Sequence, residues 1–360
     1  MFELFFTPGP SALYFTAEEH IKTALKKGVC STSHRGQQFK DIYRECQQNL
    51  KHLMDIPEDY HVLITSSANE AWERIIENCV ENESYHVSMG AFSQRFAKIS
   101  TQLGRKVHEL VVEDGTVPDF DKIEVPRDAE LITLCLNESA CGTTMPLETI
   151  NAIRQKYPDK LIAIDGVSGV PVIPIDFKSI DTLYFSVQKA FGLPAGLGIW
   201  IVNDRCLEKA MALEAKGKMI GSYHRLPDMV EKAAVYQTAE TPNILGIYTL
   251  AKVAADMLEK GILAIRREID YKSAILNQVI EAHPQLHHFV ANEKHRSKTV
   301  KVIKSDFESN LLIDHLKSKK IHIGSGYGAY KKEQIRIANF PTHSKEQTEM
   351  LVDLIEAFRS

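Results

Sequence analysis

Between residues 60 and 202, short apolar runs alternate with stretches of helical periodicity, which restricts the chain to few architectures. The runs are nearly continuous rather than alternately apolar and polar, as is typical of parallel strands buried on both faces. Helical stretches near 70–80, 93–103 and 147–157 separate them. We therefore predict an α/β fold with a mostly parallel, seven-stranded sheet flanked by helices, its strands lying near 61–65, 85–89, 107–112, 131–136, 161–164, 183–186 and 199–202.

After residue 203 the pattern changes, and a length of 360 residues favours two domains. We predict a large domain over residues 15–245 and a smaller α+β domain formed by 1–14 and 246–360. Residues 1–16 are expected to be irregular, and a single long helix is expected over 245–283. The other predicted elements outside the sheet are helices near 17–27, 37–54, 308–317 and 345–358 and strands near 288–291, 299–303 and 335–338.

Composition excludes several classes of protein. With 43 basic and 47 acidic residues and no long run of either sign, the chain does not resemble a nucleic-acid-binding protein. No window of about 18 apolar residues is present that could span a bilayer. The six cysteines are scattered and show no metal-ligand spacing, as expected for reduced thiols. We therefore predict a cytoplasmic protein without nucleic-acid or membrane partners.

A lysine follows one of the predicted buried strands. The apolar run 183–187 leads directly into Gln188 and Lys189, and a turn containing Gly192, Gly196 and Gly198 comes next. An ammonium group in an apolar site loses its hydration at high cost. It can instead lose its proton and act as a nucleophile, or form a Schiff base with an aldehyde cofactor. The ordinary alternative is a lysine in an exposed loop.

Polar residues follow three further strands of the predicted sheet. The turn 65–69 consists of small residues before a helix, which suits a phosphate group as well as simple helix capping. Ser139 supplies a hydroxyl group, and Asp165 ends a buried strand without a second metal ligand nearby. Ligands bind at the carboxyl ends of parallel strands. A lysine, an acid, a hydroxyl and phosphate donors are the groups that pyridoxal phosphate requires, so we predict this cofactor and no metal.

These residues, in this order, resemble the class V, fold-type I, pyridoxal-phosphate-dependent aminotransferases, and among them the phosphoserine aminotransferase branch. The resemblance extends from Phe6 to Arg336, nearly the whole chain. It implies transamination and a homodimer with active sites at the subunit interface. The motifs that carry it are Phe6-Thr7-Pro8-Gly9-Pro10, Ser33-His34-Arg35-Gly36, Asn137-Glu138-Ser139, Asp165, Gln188-Lys189 and Pro194-Ala195-Gly196-Leu197.

The resemblance also implies roles for individual residues. Lys189 would hold the cofactor aldehyde and carry a proton, and Asp165 would pair with the ring nitrogen. Arg336 would bind the substrate α-carboxylate and Arg35 the side-chain acid, with His34 as a further substrate-binding residue. For both arginines, a surface ion pair is the ordinary alternative. The implied cofactor contacts are Ala68, Asn69, Phe92, Ser139, Gln188 and Thr241, the last of which reaches the cofactor phosphate of the second subunit in the family.

Three departures from the phosphoserine branch bear on the substrate. Phe92 replaces a tryptophan, Glu240 replaces an asparagine, and residues 325–332 lack the usual His-Arg pair. The expected reaction is phosphoserine/3-phosphohydroxypyruvate with glutamate/2-oxoglutarate, in serine biosynthesis. The alternatives are a serine or alanine aminotransferase using glyoxylate or pyruvate, a cysteine desulfurase-like enzyme that would need a mobile cysteine beyond Cys206, and a cofactor-free scaffold, which would be expected to lack Lys189 or Asp165.

Overall fold

A computed structural model describes residues 3–359. In this range the chain forms two large sheets with helices packed around them. The strands are β1 (Leu4–Phe6), β2 (Tyr60–Thr65), β3 (Glu83–Ser88), β4 (Lys106–Val111), β5 (Leu131–Cys135), β6 (Asn137–Glu138), β7 (Thr143–Thr144), β8 (Leu161–Asp165), β9 (Thr182–Ser186), β10 (Gly198–Asn203), β11 (Leu286–His288), β12 (Val300–Ser305), β13 (Ile321–Ser325) and β14 (Gln334–Ala338). The α-helices are α1 (Ala17–Lys26), α2 (Gln37–Met54), α3 (Ala68–Cys79), α4 (Ala91–Gln102), α5 (Leu147–Lys156), α6 (Asp204–Ala215), α7 (Leu226–Ala234), α8 (Ile244–Lys260), α9 (Ile262–Ala282), α10 (Asn310–Ser318) and α11 (Lys345–Ala357).

The larger sheet of the described chain has seven strands in the order β2-β10-β9-β8-β5-β3-β4. Every predicted strand is present, and the predicted mostly parallel α/β architecture is confirmed. Strand β10 departs from the parallel arrangement, since it runs antiparallel to both β2 and β9. The connection from β9 to β10 is only residues 187–197, too short for the helical crossover that a parallel neighbour needs. This short connection holds Lys189.

The inner strands of this sheet are buried along their whole length. All residues of β5, β8, β9 and β10 are buried, and α3, α4, α6 and α7 contact strands of the sheet. Continuous burial on both faces is why these strands are almost entirely apolar. The same packing leaves the loops after the strands as the places where polar side chains can gather.

The second sheet has five strands in the described chain, in the order β1-β13-β14-β12-β11, and a separate apolar core. The prediction that residues 1–16 are irregular is wrong for Leu4–Phe6, because this segment pairs in parallel with β13. Strand β13 was not predicted, although Ile321 and Ile323 alternate with His322 and Gly324 as in a half-buried strand. The strand expected near 288–291 ends at His288 instead. The sheet places strand β1 beside the carboxyl-terminal third of the chain. The domain boundaries at 14/15 and 245/246 remain a prediction.

The single long helix predicted over 245–283 is wrong. The chain forms α8 and α9, which meet at Gly261, where φ is +83°. A left-handed backbone is incompatible with a continuous right-handed helix, and glycine adopts it without steric cost. No helix in residues 3–359 combines the length and apolarity needed to cross a membrane.

Candidate active site

A cavity of about 180 Å³ lies at the carboxyl ends of β5, β8 and β9, beside the start of α3. This is the edge of the sheet at which the sequence predicts a ligand. The cavity brings together seven of the predicted site residues, which are Ala68, Asn69, Phe92, Ser139, Asp165, Gln188 and Lys189. Its remaining lining residues are Gly9, Trp72, Cys135, Asn137, Val167, Ser168 and Ser186.

Lys189 is buried in this cavity, with 8% of its surface exposed. Its Nζ atom lies 3.4 Å from Oγ of Ser139 and 5.4 Å from the centre of the Phe92 ring. Burial lowers the pKa of the Lys189 ammonium, and the nearby Asp165 carboxylate opposes that shift. The exposed-loop alternative is therefore wrong for Lys189. A buried amine with a lowered pKa is suited to nucleophilic and base chemistry.

Gly9 forms the wall of the cavity against the lysine side chain. It has φ +144°, and a Cβ atom at this position would lie only 2.9 Å from Cε of Lys189. The backbone nearby is fixed by a hydrogen bond from Ser11 N to Gln188 O, 3.0 Å long. Glycine is therefore required at position 9 for two reasons: it adopts the positive φ, and it leaves space for the side chain of Lys189. The role of Gly9 was missed from the sequence, although Gly9 belongs to the Thr7-Pro8-Gly9-Pro10 motif.

Asp165, at the end of β8, presents a buried carboxyl group to the same cavity. Burial raises its pKa to about 7, although Val167 N donates a hydrogen bond of 2.9 Å to Oδ1 and the Tyr184 hydroxyl adds another. A carboxylate this deeply buried is stabilised by a cationic partner. A protonated pyridine nitrogen in the cavity would supply that charge. This group therefore fits the acid that the cofactor requires.

The turn at the start of α3 has the geometry of an anion-binding helix terminus. Ala68 N donates to Oγ of Ser186 at 2.8 Å, and Glu70 N donates to Oγ of the N-cap residue Ser67. Within residues 3–359, the amide of Asn69 between them has no hydrogen-bond partner. The amide of Ala68 is thus already paired, and Asn69 has the free donor that a phosphate group needs.

Gly198 allows β10 to approach this turn closely. A Cβ atom at Gly198 would lie 2.5 Å from the carbonyl carbon of Ser67 and 2.5 Å from Oγ1 of Thr65. The first residue of β10 therefore packs directly beneath the turn. Any larger residue would displace the helix terminus from the cavity.

Glu138 is a buried residue of the site whose role was missed. One carboxylate oxygen accepts hydrogen bonds from Phe92 N at 3.1 Å and from Ser93 N and Oγ at 3.0 Å, and the other accepts from Ala140 N at 3.1 Å. Burial raises the pKa of Glu138 in spite of these donors. The carboxylate holds the start of α4, and so positions the Phe92 ring. Its place in the Asn137-Glu138-Ser139 motif was visible in the sequence, but its burial was not.

Arg336 lies next to the cavity, on β14 of the second sheet. Its Nε donates to Ser325 O at 2.8 Å, and a terminal nitrogen donates to Ser139 O at 3.3 Å. The guanidinium carbon also lies 5.4 Å from the centre of the Tyr327 ring, which itself contacts Phe92. The cation is thus held at the edge of the site without a carboxylate partner among these contacts, as suits a ligand carboxylate.

The structure does not bring Arg35, His34 or Thr241 to this cavity. Arg35 donates to Gln237 Oε1 at 3.0 Å and to the carbonyl oxygens of Thr238 and Ala239, at 2.8 and 3.3 Å. Nδ1 of His34 lies 3.4 Å from Oγ1 of Thr241. His34 and Arg35 thus contact the loop 237–241, which contains Thr241, and the three residues form a second group outside the cavity. Arg35 binds main-chain oxygens here rather than an acidic side chain, so it is not the surface ion pair of the ordinary alternative.

No group of three or more histidine, cysteine, aspartate or glutamate side chains suited to a metal ion occurs in residues 3–359. The cationic and amide groups around the cavity instead favour an anionic organic ligand. The chain therefore presents a buried lysine, a buried acid, a free amide at a helix terminus and an arginine around one cavity.

Solved structures similar to this chain share its whole fold. A phosphoserine aminotransferase from Cytophaga hutchinsonii is 44% identical, with a TM-score of 0.98 and 99% of each chain covered. A ureidoglycine–glyoxylate aminotransferase from Bacillus subtilis, at 19% identity and a TM-score of 0.84, covers 99% of this chain and 92% of its own. The fold alone therefore accommodates different substrates.

Sequence comparison gives the same relationship. The phosphoserine aminotransferase of Rhodococcus opacus is 28% identical over 97% of this chain and 93% of its own length. The family described as aminotransferase class-V matches residues 7–339, which include the cavity, Lys189 and Arg336. The predicted family is thus confirmed, and this chain belongs to the class-V aminotransferases.

Proposed function

We propose that this chain is a pyridoxal-phosphate-dependent aminotransferase that interconverts phosphoserine and 3-phosphohydroxypyruvate, with glutamate and 2-oxoglutarate as the second pair, in serine biosynthesis. The observation that carries the reaction type is the burial of Lys189 and Asp165 in one cavity beside the free amide of Asn69. The substrate is supported by the relatives, since the 44% identical structure is of a phosphoserine aminotransferase.

The residues around the cavity fit each part of the cofactor. Lys189 would bond to its aldehyde carbon, and Asp165 would pair with its ring nitrogen. Asn69 N would donate to the phosphate, Ser139 Oγ to the ring hydroxyl, and Phe92 would stack on the ring face. When bound, pyridoxal phosphate supplies the electron sink that stabilises a carbanion at the substrate Cα.

The chain's own contribution to the reaction is proton transfer and positioning. When it is released from the cofactor, Nζ of Lys189, whose pKa is lowered by burial, would take the proton from the substrate Cα. The wall at Gly9 limits where that amine can move, and the buried walls exclude water. Arg336 would bind the substrate α-carboxylate with two parallel hydrogen bonds, so that the Cα–H bond faces the lysine.

We propose a homodimer in which a second copy completes each site. The support is that Arg35 and His34 contact the loop 237–241, which contains Thr241, and that none of the three lines the cavity of its own chain. The family resemblance implies that Thr241 reaches the cofactor phosphate of the second subunit and that Arg35 binds the side-chain acid of the substrate. The cationic Arg35 would then provide the charge for the substrate phosphate.

One observation favours a serine or alanine aminotransferase using glyoxylate or pyruvate as a second candidate. Residues 325–332 contain no His-Arg pair, and Lys331 and Lys332 on the short helix Gly328–Lys332 are exposed. A desulfurase is not supported, because Cys206 is fully buried with its Sγ against Asp181 O. We place the enzyme in the cytoplasm, which the six unpaired cysteines support.

Visible absorption of the purified protein tests this proposal. The wild type loaded with pyridoxal phosphate should show the band of the lysine-bound cofactor, and phosphoserine should bleach it. Lys189→Ala should lose both the band and turnover, whereas Lys331→Ala, an exposed lysine, should keep the band. A wild-type protein that never binds the cofactor contradicts the reaction type. Bleaching by serine or alanine but not by phosphoserine contradicts the substrate and favours the second candidate.

A further inference from the structure

His224 lies between two carboxylates that belong to distant parts of the chain. Its Nδ1 is hydrogen-bonded to Oε1 of Glu70, and its Nε2 lies 2.8 Å from Oε2 of Glu240. The imidazole is almost fully buried, with 7% of its side chain exposed, against 18% for Glu70 and 30% for Glu240. Neither carboxylate lies in the cavity or takes part in the proposed reaction.

Glu70 is fixed to the turn that holds the free amide of Asn69. Its Oε2 accepts hydrogen bonds from both N and Oγ of Ser66, each 2.7 Å long. Glu70 also follows Asn69 directly in the first turn of α3. A displacement of the Glu70 side chain would therefore be transmitted to the anion-binding turn.

Glu240 belongs to the loop 237–241, which contains Thr241 and is contacted by Arg35. Its carbonyl oxygen accepts a hydrogen bond of 2.7 Å from Oγ1 of Thr238, and the Thr238 carbonyl in turn binds Arg35. Thr241 is its immediate neighbour in the chain. The loop 237–241 is thus held by Arg35 from one side and by His224 from the other.

We propose that His224 is a positioning residue that ties the anion-binding turn at Asn69 to the loop 237–241, and that this bridge sets the affinity for pyridoxal phosphate. The inference rests on the proposed function, in which the turn serves the cofactor of its own subunit and Thr241 that of the second subunit. The bridge formed by Glu70, His224 and Glu240 therefore joins parts of two active sites. It also explains the glutamate at position 240, whose carboxylate is directed to His224.

Electrostatics around His224 support a protonated imidazole. Burial alone would lower its pKa, but the hydrogen bonds to Glu240 and Glu70 outweigh burial and raise it to about 9. The same contacts, with those from Ser66, lower the pKa of Glu70 to about 2 against the effect of burial.

The other charged or titratable groups around the bridge leave its charge balance unchanged. Arg74 and Glu77 of α3 lie against Gly221, three residues before His224, and are paired with each other at 2.9 Å. The Tyr43 hydroxyl, on the side of Glu240, donates to Val62 O, and Tyr223 lies against the His224 ring. One cation therefore stands between two anions.

Glu240→Ala is a test for which two explanations of Glu240 predict opposite changes in the affinity for pyridoxal phosphate. If Glu240 were only an unfavourable charge near a cofactor phosphate, its removal would strengthen cofactor binding. If it anchors the bridge, the loop loosens and the dissociation constant for pyridoxal phosphate should rise several-fold, to about tenfold. The measurement is equilibrium binding of pyridoxal phosphate to the apoprotein, followed by its visible absorption. Unchanged or tighter binding overturns the proposal.

His224→Gln leaves Glu70 and Glu240 facing each other without a cation. We expect its dissociation constant to rise about tenfold or more. The double variant His224→Gln/Glu240→Gln removes the repulsion and should recover part of the affinity, which a simple loss of folding would not. His61→Gln is the matched control, since His61 pairs with Asp204 at 2.9 Å at the opposite end of β2. A double variant no tighter than the single one, or a single variant equal to the control, overturns the proposal.

The pH dependence of cofactor binding provides an independent test of the role of His224. Because the pKa of His224 is raised to about 9, the bridge is complete at neutral pH and weakens as pH rises through that value. The ratio of the dissociation constants of His224→Gln and the wild type should therefore fall towards one above pH 9. A ratio independent of pH overturns the assignment. If the wild type itself binds no cofactor, the proposed function fails as well.

Discussion

Gly9 packs against the side chain of Lys189 so closely that a Cβ atom on Gly9 would lie 2.9 Å from the lysine Cε. The amino-terminal segment thereby sets the position of a residue 180 positions further along the chain. We predict that Gly9→Ala displaces the amine and lowers kcat about 10²-fold, the effect of a misplacement near 1 Å. Steady-state kinetics with a saturating amino donor would measure this.

Gly28→Ala is the control for this substitution. Gly28 also has a positive φ, +65°, but a Cβ atom there meets nothing within 4 Å. Each variant should lose about 1–2 kcal/mol of stability from backbone strain, while only Gly9→Ala loses activity. Equal kcat values for the two variants would show that Gly9 does not position the lysine.

Asp165→Asn should remove the charge that balances the cofactor ring nitrogen. A neutral amide supplies no negative charge to balance a protonated nitrogen, so we expect kcat to fall by about 10²–10³ while the cofactor remains attached to Lys189. Turnover and the visible absorption band should be measured on the same samples. The exposed Asp176→Asn, whose side chain caps a short helix, should behave as the wild type. A variant with more than half of the normal kcat would contradict the role of Asp165.

The apoprotein should show a second effect of Asp165, on stability. Burial raises its pKa from 3.8 to about 7, so between these values the folded state binds more protons than the unfolded state. Stability therefore falls as pH rises through this interval. Asp165→Asn does not titrate, and its advantage over the wild type should grow from pH 4 to pH 7 and then stay constant. Urea unfolding of both apoproteins at pH 4.5, 6 and 8 measures this, and a difference independent of pH would refute it.

Arg336→Lys should weaken substrate binding more than the chemical step. Lysine keeps the charge but cannot form two parallel hydrogen bonds with a carboxylate. The loss of one charge-assisted hydrogen bond costs about 1.5–3 kcal/mol, so KM for the amino donor should rise about tenfold or more. Arg127→Lys, an exposed position before β5, is the control. An unchanged KM would mean that Arg336 does not bind the substrate carboxylate.

Much of the large sheet was predictable because its strands are buried on both faces. Such strands are apolar throughout, and their alternation with helices is visible along the chain. The polar residues at their ends were recognisable for the same reason, since Asp165 and Lys189 interrupt otherwise apolar stretches. Parallel strands share one carboxyl edge, so the meeting of these side chains followed from the architecture.

Elements that depend on distant partners were less predictable. Strand β1 has only three residues and forms because β13 lies beside it. The break at Gly261 is a single backbone conformation that helical periodicity does not report. Strand β1 is thus decided by pairing with a distant segment, whereas the break at Gly261 is a local effect of glycine at a helix end.

The sequence by itself determined the large sheet and the polar residues at the ends of its strands, because buried strands are recognisable as apolar runs, whereas the burial of Lys189 was decided by the tertiary structure. Only the tertiary structure decided that Gly9 packs on Lys189, that Glu138 accepts from the amides of Phe92 and Ser93, and that Arg35 contacts the loop 237–241 rather than the cavity of its own chain. These contacts join residues that are far apart in sequence. Sequence periodicity indicates which apolar residues are buried, but it does not indicate which partners Glu138 and Arg35 bind. Their roles depend on which partner lies within hydrogen-bond distance, and that is a property of the folded chain alone.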